Sequence, residues 1–280
     1  VTLLDTVNDV ARGSNASINL SGLSNGTEYE WYVKVSDGTD SVTGNTWSFT
    51  TAPAQTCYPL TLSHTGQGAN PAASPANSTG CATGQYVAGE TINLSGASPE
   101  TGWRIAGWSG TLNNASTAAT NSLVMPASAH EASVVYEKDS VTLTVTPSGN
   151  GTVTQNPIGP YLYGDIVELT PVPATGWQFV EWTGDLTGSA NPASITLTGN
   201  KAVTAVFTQI EYELEILTSG SGSVTINPDQ ASYHYNDSVT LTAVPATGWE
   251  FSEWSGDASG TTNPIEVTIT DHTSITATFT

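Results

Sequence analysis

Paired tryptophans in three related stretches are the residues of this chain best placed to do chemistry. Each stretch has a Gly-Trp turn, preceded by Thr, and a second tryptophan five positions after the first. The first tryptophans are Trp103, Trp177 and Trp249, and the second are Trp108, Trp182 and Trp254. A flat ring exposed on a protein surface matches the apolar face of a sugar, so the motif could bind glycans.

The alternation of side chains along a strand divides this motif between two faces. In the second stretch Trp177 and Phe179 point one way, and Trp182 points the other way. We therefore predict a repeat core that contains Trp103, Ile105, Trp177, Phe179, Trp249 and Phe251. The second tryptophans share their face with polar residues. Trp108, Trp182 and Trp254 therefore either pack under the adjacent loop or a neighbouring repeat, or form an exposed platform for glycans.

A glycine and an aspartate follow the second tryptophan in two of the three stretches, at Asp185 and Asp257. A carboxylate in a glycine-rich loop could hold Ca²⁺ together with backbone carbonyls. One carboxylate per loop is few, and the regular Asp-x-Asp-x-Asp-Gly spacing of calcium loops does not occur. The alternative is that each aspartate accepts backbone N–H groups in its own turn. Structural calcium stays open, and the sequence predicts no other metal or cofactor.

No set of residues in the chain specifies a reaction. Glu181 and Glu253 precede the second tryptophan, but the first stretch has Gly107 at that position. A carboxylate pair for glycoside hydrolysis is therefore not a property of the motif. The four histidines fall at non-equivalent positions without the spacing of a zinc site or of a nucleophile and its base. We predict a non-enzymatic protein.

The charge of the chain excludes one class of partner. There are 25 acidic residues against five basic ones, which gives a formal net charge of −20. Such a surface repels phosphate groups, so we predict no nucleic-acid partner. No run of 18 apolar residues occurs, so we predict no membrane insertion. Low lysine with many threonines, valines and aromatic residues favours β-sheet.

Cys57 and Cys81 are the two cysteines, 24 positions apart. In an acidic, β-rich chain we interpret them as a disulfide, which forms in oxidising surroundings outside the cell. Two buried free thiols are the alternative. The sequence shows no signal peptide and no initiating methionine, so we expect a processed or excised chain, secreted or on the cell surface.

The aromatic motif marks three repeats, predicted at 58–137, 140–208 and 212–280. The second and third also share Gly-x-Gly-x-Val, Asn-Pro and a closing Phe-Thr. Their short alternating runs, separated by Gly, Pro, Asn and Asp, predict strands, and none has helical periodicity. The order of these elements resembles the divergent internalin-type B-repeat of bacterial extracellular proteins. The resemblance implies a stalk or accessory module.

The segment 1–52 contains a second resemblance. The string from Gly22 to Val35 is similar to the second half of a fibronectin type III domain, in which Leu23 and Tyr29 would form a corner of the sandwich. Since the first strands of such a domain are missing, two explanations stay open. Either the chain is a fragment, or other copies or surface proteins supply the strands by strand addition.

Together these patterns predict an all-β chain of small tandem β-domains in an elongated array, with a partial fibronectin type III sandwich at residues 1–52. The predicted function is a non-enzymatic extracellular stalk, adhesin segment or surface filament subunit. The alternative is an accessory carbohydrate-binding region of a secreted hydrolase, with glycans bound at the second tryptophans.

Overall fold

The computed structural model describes residues 7–11 and 13–280 of the chain. All regular secondary structure in these residues is β-strand, which confirms the predicted fold class. The same residues include no helix with the length and apolar character needed to cross a membrane. The chain divides into two compact units. One comprises the described residues up to Pro99 with Ile105–Tyr136, and the other comprises Glu100–Arg104 with Glu137–Thr280.

A hairpin near the amino terminus forms a two-stranded antiparallel sheet of its own. Its strands are β1 (Glu28–Ser36) and β2 (Ser41–Thr50). Cross-strand aromatic pairs stabilise it, since Trp31 lies opposite Trp47 with ring centroids 4.9 Å apart. Both tryptophans are nevertheless more than 40% exposed, at 41% and 46%. The hairpin therefore presents apolar side chains to solvent.

The corner predicted from the fibronectin resemblance has one matching contact. The hydroxyl of Tyr29 accepts a hydrogen bond from the backbone N–H of Ser24 at 2.7 Å, as in a tyrosine corner. Of the segment 1–52, residues 1–6 and 12 lie outside the described part of the chain. The half-domain, and strand addition by other copies or surface proteins, stay predictions.

The first repeat contains two sheets, with strand orders β5-β3-β9-β7 and β4-β6-β8. Its strands are β3 (Tyr58–Thr65), β4 (Ala72–Ser74), β5 (Gln85–Tyr86), β6 (Thr91–Ser95), β7 (Trp103–Ser109), β8 (Asn121–Val124) and β9 (His130–Lys138). The predicted disulfide between Cys57 and Cys81 is present. It joins the start of β3 to the loop before β5.

The second and third repeats each contain two three-stranded sheets of the same topology, and the second has a further two-stranded sheet. The second contains β10 (Ser140–Val141), β11 (Leu143–Ser148), β12 (Gly151–Asn156), β13 (Tyr161–Leu162), β14 (Ile166–Pro173), β15 (Trp177–Gly184), β16 (Ala193–Thr196) and β17 (Lys201–Gln209). The third contains β18 (Leu214–Ser219), β19 (Gly222–Asn227), β20 (Ser238–Pro245), β21 (Phe251–Gly256), β22 (Ile265–Thr268) and β23 (Thr273–Phe279).

Strand order within these repeats places the first and last long strands side by side. The sheets are β11-β17-β15 with β12-β14-β16, and β18-β23-β21 with β19-β20-β22. β11 pairs with β17 in parallel over six positions, and β18 pairs with β23 in the same way. The other pairings in these four sheets are antiparallel.

Each of the two repeats has its own apolar core, built from alternating residues of both sheets. In the second repeat Val167 and Leu169 of β14 meet Val203 and Ala205 of β17, and all four are at most 2% exposed. The third repeat places equivalent residues in a separate cluster. Two independent cores explain why the sequence repeats at the scale of a small domain.

Candidate functional site

The division of the aromatic motif between two faces, predicted from simple alternation, is wrong because β15 contains a β-bulge. Its pairing with β17 shifts between Phe179 and Glu181, so that Val180 is an extra residue. One extra residue turns the side chains that follow to the opposite face. Phe179 and Trp182 therefore meet on the same face, with ring centroids 5.0 Å apart. The equivalent shift occurs in β21.

The second tryptophans lie in the interior of their repeats. Trp108 is 4% exposed, and Trp182 and Trp254 are each 1% exposed. Each indole N–H donates to a carbonyl of the following loop, at 2.8 to 3.1 Å; the acceptors are Ala118, Ala190 and Thr262. The structure thus places these rings as the packing alternative describes, with no surface left for a sugar.

The first tryptophans occupy the rim of the cores instead of their centres. Trp177 is half-buried against the second core, together with Phe179, and Trp103 is also half-buried. The prediction that Trp249 is a core residue is wrong, since 41% of its surface is exposed. Its partner in the motif, Phe251, packs against the third core. Ile105 is buried in the first repeat.

The two aspartates of the motif bind the neighbouring strand of their own sheet. A carboxylate oxygen of Asp185 accepts the backbone N–H of Ala202 at 2.7 Å, and Asp257 accepts that of Ser274 at 2.8 Å. Each aspartate also donates its own N–H to the carbonyl of the same residue. Among residues 7–11 and 13–280, no three His, Cys, Asp or Glu side chains gather closely enough to hold a metal ion.

A cation distinguishes the first of these aspartates from the second. Lys201 Nζ lies 3.3 Å from Asp185 Oδ1, whereas Asp257 faces a strand with Thr273 at the equivalent position. The pKa of Asp185 lies below its usual value, because the Ala202 N–H and then Lys201 stabilise the charged carboxylate. This carboxylate should therefore stabilise the fold above the pKa of an unfolded aspartate and cease to do so as the pH falls through its lowered pKa.

We expect Asp185→Asn to lower the melting temperature by a few degrees at most at pH 7, since the amide still offers an oxygen to Ala202 but loses the attraction of Lys201. The difference from the unchanged protein should vanish in acid, once the carboxylate itself is protonated. Thermal melts between pH 2 and pH 7 measure this, with Asp257→Asn as the matched control without a cation. A pH-independent loss in Asp185→Asn would contradict the assignment.

Tyrosines of one repeat cover the turn of the repeat before it. At Gly176 the nearest side chain is that of Tyr235 in the third repeat, and at Gly102 it is that of Tyr163 in the second. Both glycines have φ of +78°, where a side chain is strained. A Cβ on Gly176 would also lie 2.4 Å from the Cβ of Tyr235. We call these two contacts the glycine–tyrosine junctions.

Backbone hydrogen bonds accompany each junction. The carbonyl of Gly176 accepts the N–H of Ile210, and that of Gly102 accepts the N–H of Asp139, both at 2.9 Å. Ile210 and Asp139 belong to the connectors that enter the following repeat. The first junction also has an exposed ion pair with its connector, since Arg104 Nη1 lies 3.7 Å from Asp139 Oδ1.

Sequence analysis missed Tyr163 and Tyr235, although a signal was present. Each lies two residues after a buried tyrosine, Tyr161 or Tyr233, whose hydroxyl donates to a proline carbonyl at 2.8 to 2.9 Å. In both repeats the first tyrosine of a Tyr-x-Tyr pattern is paired in a β-bridge or short strand, and the second lies in the turn that follows it. Only the structure shows that each of these second tyrosines contacts the Thr-Gly-Trp turn of the preceding repeat.

Comparison with known proteins assigns the repeats. The divergent InlB B-repeat domain matches the chain three times, at residues 58–140, 141–211 and 212–280. The comparison with curated proteins finds no match. The three consecutive matches cover everything from residue 58 onward and leave the hairpin unassigned. The chain therefore belongs to the divergent InlB B-repeat domain family.

Proposed function

We propose that this chain is a non-enzymatic stalk segment, which uses stiffly joined repeats to hold other parts of an extracellular protein at a distance. The observation that carries the proposal is the junction of Gly176 with Tyr235, where the third repeat covers the turn of the second. A stalk needs such contacts, because small domains on flexible linkers reorient freely.

The connector between the second and third repeats makes backbone hydrogen bonds to both of them. After β17 ends at Gln209, the N–H of Ile210 donates to Gly176 of the second repeat. Two residues later Tyr212 exchanges both backbone hydrogen bonds with Tyr233 of the third repeat, at 2.8 and 2.9 Å. A connector held in this way has little freedom to bend, which supports a stiff joint.

The setting of the protein agrees with this role. Its family is one of bacterial surface or extracellular repeat proteins and is typically non-catalytic. The family and the disulfide are consistent with an extracellular location. A net charge of −20 keeps an exposed surface solvated and discourages self-association. Adhesion and filament assembly through the hairpin stay predictions.

The glycan-binding alternative has no support in the motif that suggested it. It requires the second tryptophans to be exposed, and Trp182 and Trp254 are each only 1% exposed. Their indole N–H groups are also already bonded to loop carbonyls. We therefore do not retain this function.

Residual dipolar couplings of the backbone amides test the stiffness of the joint. We expect one alignment tensor to fit the second and third repeats together, because the junction makes them tumble as one body. Tyr235→Ala should remove the contact and require two tensors of different magnitude. Thr261→Ala, in an exposed loop of the third repeat, is the matched control and should leave one tensor. Two tensors in the unchanged chain would refute the proposal.

A further inference from the structure

The third repeat carries the same turn as the first two, but no residue in the described part of the chain covers its glycine. Thr247-Gly248-Trp249 repeats the Thr-Gly-Trp sequence, and Gly248 has φ of +87°. Within residues 7–11 and 13–280, no atom of another part of the chain lies within 4 Å of where a Cβ on Gly248 would be. The equivalent positions at Gly102 and Gly176 are filled by tyrosine side chains.

The glycine and the tryptophan of the third turn are more exposed than those of the second turn. Gly176 is buried and Trp177 is half-buried, whereas Gly248 and Trp249 are both exposed. The local turn itself is the same, because the N–H of Trp177 donates to Ala174 at 2.9 Å and that of Trp249 donates to Ala246 at 3.0 Å. The turn of the third repeat therefore has the same local structure as the others, but no tyrosine packs on it and the Trp249 indole is exposed.

The tyrosines at the junctions always come from the following repeat and contact the preceding one. The second and third repeats each offer one to the turn before them, at Tyr163 and Tyr235. The first repeat has its buried tyrosine at Tyr86 but an exposed alanine, Ala88, at the position two residues later. A second copy of this chain therefore has no unused tyrosine of this kind, since both of its own already cover glycine turns.

We propose that Gly248 and Trp249 form the docking surface for one further repeat of the same kind, which presents a tyrosine at the position of Tyr163 and Tyr235. At both existing junctions the connector that bonds to the glycine carbonyl runs on from the last strand of the preceding repeat. The occupant is accordingly a repeat joined through β23 in the same polypeptide. The first repeat presents no tyrosine of this kind, since Ala88 stands at the equivalent position.

Hydrogen exchange in an extended chain tests the proposal. A second copy of residues 209–280 is appended after Thr280, so that its copy of Tyr235 can reach Gly248. In the 280-residue chain, we expect the Trp249 amide to exchange faster than that of Trp177, although both make the same turn bond. The extension should slow exchange at Trp249 by roughly an order of magnitude, toward the rate at Trp177.

Two variants of the appended copy identify the contact. Tyr235→Ala in that copy alone should abolish the slowing, and Tyr235→Phe should preserve it, because the covering group is the ring. Dispersed, slowly exchanging core amides in the appended copy show that it has folded. A folded extension that leaves Trp249 unchanged, or one whose alanine variant protects it equally, would overturn the proposal.

The proposal rests on the junction geometry used in the stalk model, and the two can fail separately. A single alignment tensor for the second and third repeats together with an unprotected Trp249 would retain the stalk and reject the docking surface. Two tensors in the unchanged chain would reject the stiff joint itself.

Discussion

Replacing Gly176 with alanine should destabilise the protein by about 3 kcal/mol, against about 1 kcal/mol for the same change at Gly248. Both glycines have positive φ, at +78° and +87°, so both alanines are strained by the backbone. Only at Gly176 does the new methyl group also meet another side chain, 2.4 Å from the Cβ of Tyr235. Because that atom is fixed to the backbone, the third repeat must shift.

Equilibrium urea unfolding, followed by amide signals of each repeat, measures both losses. Equal losses in Gly176→Ala and Gly248→Ala would contradict the junction. The other junction provides a double-mutant cycle, since a Cβ on Gly102 would meet ring atoms of Tyr163 at 2.1 to 2.5 Å. Tyr163→Ala removes that ring and should relieve much of the cost of Gly102→Ala.

Truncation of Trp182 to alanine should cost about 3 to 5 kcal/mol, which is enough to unfold the second repeat. The side chain is almost fully buried and its indole N–H holds the loop at Ala190, so the substitution leaves both a cavity and an unpaired carbonyl. Trp177→Ala should cost less, because that ring is only half-buried at the rim.

The comparison of these two tryptophans is made in the same repeat by urea unfolding. Trp182→Phe is the intermediate variant, since it keeps an aromatic ring in the core but loses the bond to Ala190; a smaller loss than in Trp182→Ala is expected. If Trp177→Ala destabilised the repeat more than Trp182→Ala, the assignment of the second tryptophan as the core residue would be wrong.

The sequence was sufficient to predict an all-β chain, three repeats of this family and the disulfide, because these depend on local periodicity, internal similarity and cysteine usage. It was not sufficient to assign the faces of the motif. β15 pairs with β17 up to Phe179 and again from Glu181, and the register of the second part is shifted by one residue. Val180 is therefore left as a bulge. That requirement comes from pairing with Val206 and Phe207, which are distant in sequence, so no local pattern around Trp182 indicates it.

The junctions were hidden from sequence analysis for a related reason. The glycine of Thr-Gly-Trp already has a local explanation in its positive φ, so nothing in the turn requires a neighbour. Tyr235 likewise resembles a surface aromatic of its own repeat. The two residues are matched only through the packing of one repeat on the next, and that packing follows from where the connector at Ile210 is bonded.

The parallel pairing of the first and last long strands decides how a repeat would respond to tension. A pull along the chain enters β11 at Leu143 and leaves β17 at Gln209, so the two strands are drawn past each other and their shared hydrogen bonds resist together, in shear. In the hairpin Glu28 lies opposite Thr50, so the same pull would unzip its ladder one bond at a time. Under force, the hairpin would yield first and the repeats would keep their length.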